Sequence, residues 1–197
     1  RSASKFKKLL YVLVRQPQFM LTVGPLLLFA FQNRFPSTSS RLRERRGVLW
    51  TNLALAAVIT TLCLTIGWKV YLAIHVPILI IAGAAGIWLF YVQHQFEDAY
   101  WNQEGDWDFA DAAVKGSSFY RLPRVLQWFS GNIGFHHVHH LSPKIPNYRL
   151  EACHRAFPAL AIAPQLTLLQ SLKSLHLRLW DPAARKLVGW RQALRTA

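Results

Sequence analysis

Two long apolar runs dominate the middle of the chain. Val48 to Trp68 carries no charged side chain, and after Lys69 a second run extends from Val70 to Val92. A helix that crosses a bilayer takes about 20 predominantly apolar residues, so each run predicts one spanning helix. The join at Gly67-Trp68-Lys69 is so short that the two must form an antiparallel hairpin. Gly83, Gly86 and several alanines predict a face of the second helix that another helix can approach closely. Pro77 predicts a kink, which packing neighbours tolerate inside a membrane protein.

The pattern is different on either side. Residues 1–16 are basic, with Lys5, Lys7, Lys8 and Arg15 around a small apolar patch, Leu9 to Val14. The apolar run from Phe19 to Phe31 is broken by Gly24-Pro25 and is too short to span comfortably, which predicts an interfacial or re-entrant element. A loop with Arg34, Arg41, Arg43, Arg45 and Arg46 follows, in which Glu44 is the only acid. Beyond the hairpin the chain is more polar but keeps Trp101, Trp107, Trp128, Trp180 and Trp190, as expected of segments near a headgroup region. The expected architecture is an all-α integral membrane protein. It comprises a basic cytoplasmic or interfacial segment (1–47), a transmembrane helical hairpin (48–92) and a cytoplasmic helical region (93–197).

Charge sets the expected orientation. Both flanks of the hairpin are rich in Lys and Arg while the turn holds one lysine, so the positive-inside rule places both flanks in the cytoplasm. With 52% apolar residues and only 16% charged, the chain is too hydrophobic for a disordered tail despite its formal charge of +14. Two cysteines exclude a disulfide scaffold. The basic residues are scattered and no recognition module is present, so no nucleic-acid partner is expected. The only methionine is Met20 and the chain opens Arg1-Ser2-Ala3-Ser4, which is read as the start of an incomplete or processed chain.

The chemistry lies in the histidines. Five of the eight fall at His94, His136, His137, His139 and His140. On a helix stepping about 100° per residue, His139 lies roughly −60° and His140 roughly +40° from His136, so these three share a face, with His137 at its edge. A short helix is expected to begin near Asn132, a good cap residue, and to stop before Pro143. Imidazole nitrogen is a good ligand for Fe, Cu, Ni and Zn, and three imidazoles at this spacing can converge on one ion or bridge two. His94, at the cytoplasmic end of the second spanning helix, is either a hydrogen-bonded interfacial residue or a further ligand. Glu151-Ala152-Cys153-His154 matches the Glu-x-x-His spacing of soluble di-iron bundles, which need two copies; with one copy it reads as a helical surface pair. His75 and His176 are assigned to structure.

The string Gly116-Ser117-Ser118-Phe119-Tyr120-Arg121-Leu122-Pro123, with Trp128 to Tyr148 around Phe135-His136-His137-Val138-His139-His140-Leu141-Ser142-Pro143, resembles the third histidine box of membrane fatty acid desaturases of the bacterial and cyanobacterial acyl-lipid type. His94-Gln95-Phe96-Glu97 with Tyr100-Trp101 resembles the segment after their last spanning helix. The resemblance implies metal ligation by His136, His139 and His140 from the third box and by His94; His137 is left open as an additional ligand. It implies two non-haem irons, O₂ activation, and removal of two hydrogens from an acyl chain to form a cis double bond. Trp101, Trp107 and Phe135 are candidate lining residues of the acyl channel, or else interface aromatics.

The same resemblance implies an acyl lipid substrate, a membrane setting, and electrons from a separate donor such as ferredoxin, since no His-Pro-Gly-Gly haem motif of a fused cytochrome b5 domain occurs. The family's first two boxes do not occur upstream of His94, and two spanning helices stand where four are usual. The chain therefore reads as a C-terminal portion whose iron site is incomplete and which is inactive by itself. The rival readings are another histidine-box membrane hydroxylase, for carotenoids or alkanes, and a non-catalytic, membrane-anchored truncated remnant.

Overall fold

The computed structural model describes residues 4–102, 104–190 and 192. Arg1 to Ala3 of the basic segment, and the last residues of the 93–197 region, lie outside the described residues. The chain divides into two compact units, residues 1–88 and 89–197.

In the first unit, helix α1 (Lys5–Val14) is capped by Ser4, whose Oγ accepts from the Lys7 amide at 3.3 Å. Helix α2 (Pro17–Pro25) starts on Pro17, whose missing N–H costs nothing in a first turn. It continues as a π-helical stretch, Leu26–Phe31, and a 3₁₀ turn, Gln32–Arg34. The axis bends by 79° between α1 and this second element, the geometry of a broken span or a re-entrant loop.

Helix α3 (Leu42–Ile66) starts six residues before the apolar run it contains. Hydropathy marks the stretch suited to lipid, whereas the helix itself continues through Arg43 to Arg46, its first turn closed by Glu44 Oε2 accepting from the Arg41 amide at 2.9 Å. Helix α4 (Trp68–His94) follows after the single residue Gly67 and runs on through Pro77. At 25 and 27 residues the two helices measure roughly 38 and 40 Å, longer than the ~30 Å hydrocarbon core. Within α3 the hydroxyls of Thr51, Thr61 and Thr65 bond back to carbonyls four residues earlier, so no water is needed to satisfy them. The helix buries none of its residues in the protein and presents Trp50, Leu53, Val58 and Leu64 outward. So large an exposed apolar surface requires lipid. The two helices are membrane-spanning, and the protein is a multi-pass membrane protein.

The small-residue face of α4 receives the bent element. A Cβ on Gly83 would lie 2.6 Å from Pro25 Cβ and 3.3 Å from the Phe29 ring, so only glycine allows that approach, whereas Gly86 has nothing within 4 Å. Asn52 of α3 holds the same element, donating to the Arg34 carbonyl at 2.8 Å.

The second unit begins with the last turns of α4. Helix α5 (Phe109–Lys115) is capped by Asp108 and leads to strand β1 (Phe119–Arg121). Helices α6 (Arg124–Phe129), α7 (His136–Leu141) and α8 (Leu150–Ala156) follow. Strand β2 (Gln165–Thr167) pairs parallel to β1, with Phe119 opposite Gln165. After the short helix α9 (Leu168–Ser171), strands β3 (Leu179–Asp181) and β4 (Lys186–Val188) form an antiparallel pair. The architecture is helical, as expected, but the described residues also include four strands of three residues each, which the sequence pattern does not predict. They are too short to show an alternating pattern. Val114, Phe135, Val138, Leu150, Leu160 and Ala163 form the core of this unit, with Phe119, Leu141, Ile145 and Cys153 packed against it.

Candidate metal centre

α7 carries the histidine string. Its expected start at Asn132 is not observed. Gly131 and Asn132 are both left-handed (φ 62° and 56°), forming a turn rather than a cap, and the helix starts four residues later. Asn tolerates that conformation better than most residues, and Gly131 needs to be small because a Cβ there would meet Asn147 Nδ2 at 3.1 Å. Asn132 Nδ2 instead donates to the Asn147 carbonyl at 3.2 Å. The helix ends at Leu141, two residues before Pro143, as the sequence predicts.

Within α7, His136 Nε2 and His140 Nε2 stand 3.1 Å apart, one helical turn from each other. His94 Nε2, from the end of α4, lies 3.3 Å from His136 Nε2 and 2.9 Å from His140 Nε2. Three imidazole nitrogens therefore surround one point. His139 lies beside this triangle, its ring stacked at 5.7 Å on that of His136. His137 points elsewhere, its Nε2 2.9 Å from His154 Nδ1 on α8.

What aims His94 is legible at the atomic level. Its Nδ1–H donates to the Phe90 carbonyl at 2.7 Å, which leaves the Nε2 lone pair facing the centre, the usual arrangement of an imidazole ready for a metal. The preceding residue, Gln93, is fully buried; its Nε2 donates to the Ile133 carbonyl at 2.8 Å and its own carbonyl accepts from the Ser118 amide at 3.0 Å. The first bond ties the end of α4 to the loop that leads into α7, and the second ties it to the residue before β1. Sequence reasoning passed over Gln93; a polar side chain one residue before a candidate ligand in an otherwise apolar run was the available signal.

Burial sets the protonation of the cluster. Removal from water, reinforced by His94, His140, His139 and His137, lowers the His136 pKa to about 3. His140 is lowered chiefly by burial, then by His94 and His139. Burial, then His154, lowers His137 to about 4. His136, His137 and His140 are therefore neutral at pH 7, the form of imidazole that binds metal.

The donor set fits a transition-metal ion. Two cis ligands at about 2.1 Å from one ion are about 3.0 Å apart, close to the three separations found here. With the His94 proton on Nδ1, the three nitrogens share at most two hydrogens, so at least one edge of the triangle pairs like ends. A cation at the centre lets all three present lone pairs. Imidazole suits iron as well as zinc, copper and nickel. Among the described residues the convergent group numbers three imidazoles, fewer than two irons require.

The fatty acid desaturase family model matches residues 2–169. The chain belongs to the fatty acid desaturase family. It is also 48% identical over 191 residues to a protein of Bacillus subtilis (strain 168) named fatty acid desaturase. That alignment takes in 97% of this chain and 54% of the relative, so the chain spans about half the relative's length. Family membership accords with a histidine cluster at the end of a membrane helix, and the iron site formed by the described residues is a partial one.

The aromatic candidates are dispersed. Phe135 is a core residue, stacked on Phe119 at 4.7 Å, and it lines a cavity of about 620 Å³ with Arg121, Arg124 and Trp128. Trp101 leans on Trp180 at 5.5 Å and lines a different cavity, of about 330 Å³. Trp107 is exposed beside Phe109. The Glu-x-x-His pair also differs from its reading as a surface pair: Glu151 pairs with Arg155, while His154 is half-buried between Phe119, Phe135 and His137. His75 stacks on Tyr71 within α4.

Proposed function

We propose that this chain supplies the histidine-rich closing part of a membrane desaturase, contributing His94, His136, His139 and His140 to a non-haem di-iron centre that acts on acyl lipids. The observation that carries the proposal is the convergence of three imidazole nitrogens from two separate helices. In this reading His94, His136 and His140 hold one metal position, and His139 serves a neighbouring one. The di-iron group, when bound, supplies the O₂ chemistry needed to remove two hydrogens from adjacent unactivated methylene carbons and leave a cis double bond. The protein's own part is to hold neutral imidazoles in place: Phe90 orients His94, and Gln93 joins the α4 end to the α7 loop. Positioning then decides which carbons react, since a methylene offers no group for acid–base catalysis.

The remaining ligands come from outside the three clustered imidazoles, so the chain alone is inactive. The histidine face lies on the cytoplasmic side, where the flanking cations favour it. Electrons come from a separate acidic carrier such as a ferredoxin. Trp101 and Trp107 sit at the interface, and Phe135 supports α7 from the core.

The test uses the full reading frame expressed in a host that lacks the activity, with membrane fatty acids profiled by gas chromatography. The wild type is expected to form the unsaturated product. His140→Ala and His139→Ala are each expected to abolish it, by a hundredfold or more, while insertion into the membrane is unchanged. Normal unsaturation in the His140→Ala variant would refute the site.

A further inference from the structure

His137 and His154 belong to none of the roles above, yet His137 is fully buried. The two rings meet edge to face with centroids 4.9 Å apart and His137 Nε2 2.9 Å from His154 Nδ1. Phe119 and Phe135 enclose His154 at 4.9 and 5.4 Å. The other nitrogen of His137, Nδ1, is buried without a hydrogen-bond partner. A buried N–H left without an acceptor is rarer and costlier than a lone pair left without a donor. The His137 proton therefore sits on Nε2 and is donated to His154 Nδ1.

α7 has only six residues, too few to hold a helix by its own hydrogen bonds. Where His136 and His140 point thus depends on what fixes α7 from outside. Val138 and Leu141 pack it against the core, but apolar contacts are non-directional and leave rotation about the helix axis weakly specified. The His137–His154 bond is directional, and it reaches α7 on a side roughly 100° from His136. We propose that His137 is a positioning residue and not a metal ligand: its buried bond to His154 sets the rotation of α7 and so aims His136 and His140 at the metal. The inference rests on the metal reading of the triangle.

The test is Co²⁺ binding to the purified product of the full reading frame in detergent, followed by visible absorption, with circular dichroism to confirm that each variant is folded. The wild type is expected to bind and to give a defined spectrum at saturation. His154→Ala, which touches no ligand, is expected to weaken binding about tenfold or more, the scale of supporting residues around metal sites. Its spectrum at saturation should be that of the wild type, because the ligands are unchanged. His154→Gln keeps an acceptor for the His137 N–H and is expected to recover most of the affinity. The double variant His137→Ala with His154→Ala should lose no more than either single change. Wild-type affinity in His154→Ala overturns the inference, and so does a changed saturation spectrum in His137→Ala, which would make His137 a ligand. A wild type that takes up no Co²⁺ defeats the metal reading itself, a result distinct from an indifferent His154 variant.

Discussion

At the scale of single residues, the histidines divide by what each ring nitrogen is given to do. His94 has one nitrogen on the Phe90 carbonyl and the other at the centre; His137 has one on His154 and the other in the core. The two lie on different helices, so helical periodicity within α7 cannot set them side by side. Burial carries a pH consequence. The folded His136 pKa, about 3, lies below the 6.5 of an unfolded histidine. Between those values the unfolded chain binds a proton that the folded chain does not. The stabilisation is therefore complete above pH 6.5 and is lost as pH falls toward 3. His137, lowered to about 4, acts in the same direction. The metal-free chain should thus lose unfolding free energy steadily from pH 6.5 to 4 in denaturant titrations. A flat profile across that range would contradict the buried, neutral cluster. Bound metal competes with protons for the same nitrogens, so the metal-loaded protein should lose unfolding free energy more steeply with acid than the metal-free one, its extra stability vanishing as protons displace the metal in the same denaturant titrations.

At the scale of elements, the spanning helices were legible because lipid selects composition over 20 or more residues, and such a signal survives local exceptions. Their ends were less so: α3 extends below the apolar run because charged residues continue a helix as readily as they end a membrane span. The start of α7 was misplaced for a related reason. Asn132 is as suited to a left-handed turn as to a cap, and only the neighbouring Asn147 decides between them. The joint between α4 and α7 depends on Gln93. Gln93→Leu removes the donor to the buried Ile133 carbonyl and is expected to cost about 1–3 kcal/mol, read as a lowered denaturation midpoint in detergent. An unchanged midpoint would mean that the joint is held elsewhere.

At the scale of the whole molecule, the bilayer is the missing solvent for α3 and α4. The asymmetry of positive charge around the hairpin predicts which side the histidines face. With both native cysteines replaced by serine, Ser142→Cys is expected to react with a membrane-impermeant maleimide in inverted vesicles and not in intact cells. Labelling in intact cells would reverse the orientation.

By itself, the sequence determined the class of protein, its two spans, and the residue string around which the chemistry gathers. These are properties of composition and local spacing: a span needs only enough consecutive apolar residues, and His136 and His140 face the same way on any helix. Only the tertiary structure decided which rings meet. It brought His94 across 46 residues to His140, left His139 beside the triangle, and turned His137 toward His154. The physical reason is that a ligand set is fixed by where two helix ends cross and how each is rotated. That depends on the core around Phe135 and Val138 and on the Gln93 bond to Ile133, contacts between residues too far apart in the chain for any local pattern to record.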